Sequence, residues 1–225
     1  VSLSGDATIE DSEGDTATAT YSVDLGGNVT FGDDVPSITA DTVVAESGVT
    51  LTTADANTEG SNSATATASF ASAFEAAAAT DGDYGADVPG TITVGSYDLS
   101  LGSGVASNGA GSGLTSSGNA VLLRENSAGD IEGYYDTTVV FSLSVDAATG
   151  DVTLTQNEAL DHGDAGTGTD LSLALGDGLV SLSGDATIED SEGDTATATY
   201  SVDLGGNVTF GDDVPSITAD TVVAE

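Results

Sequence analysis

Residues 1–46 and 180–225 are identical at every position, with a constant offset of 179 residues. An internal repeat of this kind constrains the fold before composition does, because every copy must be compatible with the neighbours that tandem order gives it. The chain therefore reads as one period of 179 residues plus a 46-residue overlap that shows where the period closes. Closure falls in GDDVPSITADTVVAE, at 32–46 and again at 211–225. Each copy opens with adjacent acids (Asp33 and Asp34; Asp212 and Asp213), and the Val-Pro that follows favours an extended exit. This divides the chain into the tail of a preceding repeat (1–34), one complete repeat (35–213) and the first strand of the next (214–225). A permuted unit that takes its last hairpin from 1–31 is the alternative phase. Both duplicated ends are expected to form strands.

Charge narrows the function. The chain has 38 Asp plus Glu against one Arg (Arg124), no Lys and one His (His162), a formal net charge of −37. Nucleic acid and anionic membrane surfaces both need a basic footprint, and none is present. A compact fold with this charge repels itself unless counter-ions neutralise it in place, and divalent cations fit best. Hydrophobic residues make up 38% of the chain. They fall in alternating runs between Gly and Asp clusters, which argues for a packed β core rather than a disordered acidic tail. With no Cys, metal is the remaining candidate staple. No apolar run approaches the ~20 residues that span a bilayer, so no membrane insertion is expected. Signals for export or anchoring are expected outside this stretch.

Along the chain, DATIEDSEGDTATATYSVDL predicts a strand, an acidic turn and a long alternating strand, with a tight return at Gly26-Gly27 into the strand NVTF. PSIT and VTLT are candidate strands. In the Ala-rich stretch 64–79, SFASAFEAAAA reads as a short helix, or as a strand running into one. GTITVGSYDLSL (90–101) returns to period two, and GSGVASNGAGSGLTSSG (102–118) reads as a loop or a flexible insertion. The clearest hairpin is TTVVFSLSVDAATGDVTLTQ, with its turn at 146–150. Many short strands with frequent turns and little helix predict an all-β fold, an antiparallel β-sandwich.

Three acidic clusters are candidate Ca²⁺ ligands. The first is EDSEGD, where Asp11, Glu13 and Asp15 alternate in a Gly-containing turn, repeated as Asp190, Glu192 and Asp194. Ca²⁺ takes six to eight oxygens, and alternate acids in a turn can converge theirs; the spacing is not that of an EF-hand. The second is LDHGD, with Asp161 and Asp164. The third is the Asp-Asp junction together with Glu46. Asp, Gly and Ser are also ordinary turn residues, so each cluster has a purely structural reading. His162 is a possible ligand or general base, but a lone His beside an Asp is more often a hydrogen-bonded edge residue. Alternating Thr16, Thr18 and Thr20 form a possible surface-binding face, and GTGTD at 166–170 is a single partial copy of a calcium β-roll repeat. Nucleophile elbows, phosphate loops and paired His ligands are absent from the sequence, and no enzymatic activity is expected. Arg124 is expected in an ion pair with Glu125, Asp130 or Glu132.

Read together, VAES (44–47), FSLSVDAATGDVTLTQNEALDH (141–162), DATIEDSEGDTATATYSVDL (185–204) and GDDVP (211–215) resemble cadherin-like repeats. They most resemble the long tandem repeats of bacterial RTX adhesins exported by type I secretion. The resemblance covers about half the period. It implies an Ig-like or cadherin-like sandwich stabilised by Ca²⁺, with ligands at Glu46, Asp161, Asp190 with Glu192, and Asp212 with Asp213, and in the first copy Asp11 with Glu13 and Asp33 with Asp34. LDHG replaces the Arg-Glu half of the cadherin motif, and the linker lacks that family's Asn residues. The implied function is a rigid extender of a cell-surface adhesin at the bacterial surface, serving adhesion and biofilm formation. Its partners would be neighbouring copies of the same repeat rather than a small-molecule substrate. The alternative is a ligand-binding adhesin module with a glycan site in 57–135, where Tyr84, Tyr97, Tyr134 and Tyr135 lie; a hydrolase is the weakest reading.

Overall fold

The computed structural model describes residues 1–45, 48–58, 62–102, 105, 108–163 and 171–213. The chain separates into two compact units, Val1–Asp34 and Val35–Glu225. The strand expected at 214–225 lies outside the described residues.

In the first unit, β1 (Ser2–Glu10) and β2 (Thr16–Asp24) form an antiparallel hairpin in continuous register from Ser2 opposite Asp24 to Glu10 opposite Thr16. Alternation sorts Thr from Ala and Tyr. The Thr8 and Thr18 hydroxyls lie 2.8 Å apart, and Thr20 Oγ1 donates to Asp6 Oδ1 at 2.5 Å. Every residue of both strands is exposed. The expected tight return does not occur here: Gly26–Asn28 forms a 3₁₀ turn, and Val29, Thr30 and Phe31 are not in a strand.

The second unit begins with β3 (Leu51–Ala54), β4 (Ala64–Ser69), the helix α1 (Ala71–Asp81) and β5 (Thr91–Leu101). A meander follows: β6 (Ala110–Ser116), β7 (Asn119–Glu125), β8 (Ile131–Tyr135), β9 (Thr138–Val145) and β10 (Asp151–Gln156). The unit closes with β11 (Ser172–Ala174), β12 (Val180–Glu189), β13 (Thr195–Asp203) and β14 (Val208–Gly211). The meander and β4 make a six-stranded antiparallel sheet, ordered β4-β10-β9-β8-β7-β6. Two three-stranded sheets, β13-β12-β5 and β11-β14-β3, complete an all-β fold consistent with a sandwich. One pairing departs from the antiparallel expectation. Strands β3 and β14 run parallel, from Leu51 opposite Val208 to Ala54 opposite Gly211. A parallel pair needs a long crossover, and here nearly the whole unit supplies it.

Two further expectations are corrected. Part of the Gly/Ser-rich stretch 102–118 is the strand β6, because every second residue finds an inward role. Leu114 is buried, Ser112 Oγ donates to the Val121 carbonyl at 2.7 Å, and Ser116 Oγ donates to the Ala159 carbonyl at 2.6 Å. PSIT makes only a single bridge, Ser37 to Asp83. The Ala-rich stretch is a strand running into a helix, β4 passing through Phe70 into α1, which turns Phe74 and Ala78 into the core. Phe74 meets the Tyr97 ring edge-on at 5.4 Å, and a Cβ on Gly184 would stand only 2.9 Å from that same ring. A glycine in β12 is what lets the aromatic pair close over the sheet.

The duplicated segment thus occurs in two environments. In the second unit, β12 pairs with β13 in the register that β1 and β2 share, and β5 adds on its other edge. The side chains left bare in the first copy are buried there: Leu3 is 61% exposed and Leu182 0%, while Ile9 is 74% exposed and Ile188 0%. The return strand follows the same rule, since Phe31 is bare whereas Phe210 is fully buried in β14, between β11 and β3. Burying one such side chain is worth about 1.5–3 kcal/mol, and a lone two-stranded hairpin is marginal in water. Tertiary context, not local sequence, makes 208–211 a strand. Among the described residues, no helix is long and apolar enough to cross a membrane.

Candidate metal centre

The EDSEGD turn joins β1 to β2 and β12 to β13. Asp11 Oδ1 accepts the backbone N–H groups of Glu13 and Asp15, both at 3.0 Å, and Gly14 takes a φ of +92° that favours glycine. One oxygen of Asp11 therefore holds the turn. Asp11, Glu13 and Asp15 are all exposed, and each offers an oxygen within 4.8 Å of the others. In the second copy Asp190 Oδ1 accepts from Glu192, Gly193 and Asp194 at 2.9–3.0 Å. Its other oxygen, Oδ2, is buried without a hydrogen-bond partner, which is costly for a carboxylate unless a cation or water meets it. The Asp190, Glu192 and Asp194 oxygens are not among the groups that gather within 4.8 Å.

The LDHGD acids divide. Asp161 is exposed and works as a clip: its Oδ2 accepts the Gly118 N–H at 2.8 Å, and its own N–H donates to the Thr115 carbonyl at 2.8 Å. Asp164 and Glu46 lie outside the described residues. Asp33 and Asp34 stand exposed at the end of the first unit, and Asp213, in the second, is also exposed.

Asp212 belongs to a different constellation. The parallel register sets Ala54 opposite Gly211, so the next residue of each strand, Asp55 and Asp212, leaves the same end of the pair. Asp55 opens a 3₁₀ turn after β3 and is buried. His162, two residues past Leu160, enters between them with its side chain 2% exposed. Its Nδ1 lies 3.3 Å from Asp55 Oδ2 and 3.7 Å from Asp212 Oδ1. Nδ1 also lies 3.2 Å from the Leu160 carbonyl, and Nε2 lies 3.1 Å from the Phe210 carbonyl. Asp55 is fixed by its own donors, Gln156 Nε2 at 2.5 Å and the Leu160 N–H at 3.1 Å. Burial pushes the Asp55 carboxyl above its ordinary value, while the hydrogen bonds from Gln156 and Leu160, and then His162, pull the other way. The Asp55, His162 and Asp212 ligand atoms lie within 4.8 Å of one another.

Sequence reasoning named Asp212 as a junction ligand and gave His162 an edge role, but missed Asp55. Its local sequence, TADAN, is an ordinary turn, and its partners are more than a hundred residues away.

GTGTD at 166–170 lies outside the described residues, while Arg124 and two of the four tyrosines have structural partners. Arg124 Nε pairs with Glu132 Oε2 at 2.6 Å, and its guanidinium lies 4.2 Å from the centre of the Tyr134 ring. Tyr97 is buried and Tyr135 packs against the core, so the four tyrosines do not form an open aromatic platform.

A family described as a domain of unknown function, DUF5801, matches residues 43–205. No curated protein and no solved structure matches the chain.

Proposed function

The chain belongs to the DUF5801 family, and from that premise we propose that it is an extender module of a large secreted adhesin at the bacterial surface. In this reading, tandem copies of a cadherin-like repeat are stiffened by Ca²⁺ at the acidic turns and junctions, and together they hold a distal binding domain away from the cell. One observation carries it: a single hairpin sequence is bare on both faces at 2–24, while at 181–203 its inward-facing side chains are buried. Contiguous exposed apolar surface marks an interaction site. The cover that fits Leu3, Ile9, Tyr21 and Val23 is a preceding copy of the strand and helix that cover their counterparts Leu182, Ile188, Tyr200 and Val202. Repeats that each need a neighbour of the same sequence give a continuous array, and an array supplies reach.

The test is hydrogen exchange on a chain extended at its amino end by one full period. The amides of 2–24 should then exchange as slowly as those of 181–203. A hairpin that stays as unprotected as in the shorter chain would remove the reason for reading the sequence as an array.

A further inference from the structure

We infer that Asp55, His162 and Asp212 form a binding site for a divalent cation of the zinc class, distinct from the oxygen-only sites proposed for Ca²⁺. The argument starts from the two ring nitrogens of His162. Nε2 faces one acceptor, the Phe210 carbonyl at 3.1 Å. Nδ1 faces three: the Leu160 carbonyl at 3.2 Å, Asp55 Oδ2 at 3.3 Å and Asp212 Oδ1 at 3.7 Å. A neutral imidazole has one proton. With that proton on Nε2, the Nδ1 lone pair meets three oxygen lone pairs; with it on Nδ1, Nε2 meets the Phe210 carbonyl bare. A second ring proton on Nδ1 would serve one of the three oxygens and leave the rest. A metal ion coordinates Nδ1 and the carboxylates together, while Nε2–H donates to the Phe210 carbonyl, the arrangement that metal-bound histidines commonly adopt.

Distances and donors select the ion. Four ligands at ~2.0–2.1 Å in a tetrahedron lie roughly 3.4 Å apart, close to the separations of 3.2 to 3.7 Å observed around Nδ1. One imidazole with two carboxylates suits zinc and its neighbours, whereas Ca²⁺ and Mg²⁺ favour all-oxygen sets. A second, independent feature points the same way. The Gln156 side chain, fully buried and bonded to Asp55 through Nε2, has its own Oε1 buried without a partner. Asp212, 24% exposed, leaves the site a path to solvent.

His162 is the single histidine of the chain, so its ring signals in nitrogen–proton correlation spectra are unambiguous. The full chain is titrated with Zn²⁺ at neutral pH in millimolar Ca²⁺. The ring resonances should move to a new position that saturates at one equivalent, and Co²⁺ in place of Zn²⁺ should give the visible absorption of a four- or five-coordinate ion. Asp55→Asn and Asp212→Asn should each weaken Zn²⁺ at least about tenfold, whereas Asp11→Asn should not. Ring signals unmoved by excess Zn²⁺ would reduce the cluster to a buried ion pair, and signals moved by Ca²⁺ alone would return it to the calcium set. Either result overturns the assignment. Because the native titration needs no variant, a misfolded Asp55→Asn chain leaves the test intact, and its failure would not touch the proposed role of Ca²⁺ at the other clusters.

Discussion

The Tyr200 hydroxyl donates to Asp81 Oδ2 at 3.0 Å, tying β13 to the last residue of α1, while Tyr21, the same position in the duplicated segment, is 67% exposed. Asp81 is a hub. It also accepts from Thr42 Oγ1 and from the backbone of Asp41 and Thr42, so the segment that follows the junction is anchored to the same carboxylate. Burial, and then the bond to Asp81 and its charge, push Tyr200 up to about 12 from an ordinary value of 10.0. A raised value means that the neutral phenol contributes stability in full below pH 10, and that this is lost as pH rises through about 12. Tyrosinate absorbance should therefore show a late step near pH 12 that accompanies unfolding. Tyr200→Phe should abolish that step and lower the melting temperature, whereas Tyr21→Phe should do neither.

The duplicated hairpin offers an internal control. Leu182→Ala removes a fully buried side chain and should cost roughly 2–5 kcal/mol. Leu3→Ala, the same change at an exposed position, should stay within about 0.5 kcal/mol. Calorimetry of the two variants checks this directly, and equal losses would mean that the first hairpin is buried in solution.

Acid stability should depend on Glu132. Its carboxyl is held below the ordinary 4.5 chiefly by the Asn126 side chain; burial opposes this, and the hydrogen bond and charge of the Arg124 guanidinium add to the lowering. A depressed value contributes stability that is present above the ordinary value and lost as pH falls through the folded one. Arg124→Gln should therefore bring the acid midpoint to higher pH. At neutral pH its cost should stay near ~1 kcal/mol, since the guanidinium is one-third exposed, even with the Tyr134 ring contact included. An acid midpoint that does not move would assign the acid transition to other carboxylates.

What could be read in advance follows the range of the interactions. The β9–β10 hairpin was legible because its signals are adjacent in sequence: Asp146 Oδ1 caps the backbone of Ala148 and Thr149, and Gly150 takes a φ of +70°. The acidic turns were legible for the same reason, although one oxygen of Asp11 and of Asp190 serves the turn itself. Strand β6 was not, because its inward Ser residues count as core only once the Val121 and Ala159 carbonyls are there to accept from them. Nor was the Asp55, His162 and Asp212 cluster. It depends on the parallel pairing of β3 with β14, in which Thr52 and Thr209, 157 residues apart, place their hydroxyls within 2.7 Å. The identical segments make the limit plain: Phe31 and Phe210 share every local neighbour from Val1 and Val180 onward, and only one of them lies in a strand.

Calcium is the point at which the account is most exposed. Oxygen sites in extracellular modules bind with dissociation constants of ~10⁻⁴ to 10⁻³ M. At ~10 mM Ca²⁺ and the weaker end of that range, each site adds RT ln(1 + 10), about 1.4 kcal/mol. Small-angle scattering from a protein of several tandem periods, with and without chelator, tests the central claim most directly. The extender reading predicts that chelation lowers the melting temperature and makes the particle shorter and more variable in end-to-end distance. Asp33→Asn combined with Asp34→Asn should reproduce that flexibility while each sandwich stays folded. A maximum dimension and a melting curve both unchanged by chelator would contradict it and return the acidic clusters to ordinary solvated turns.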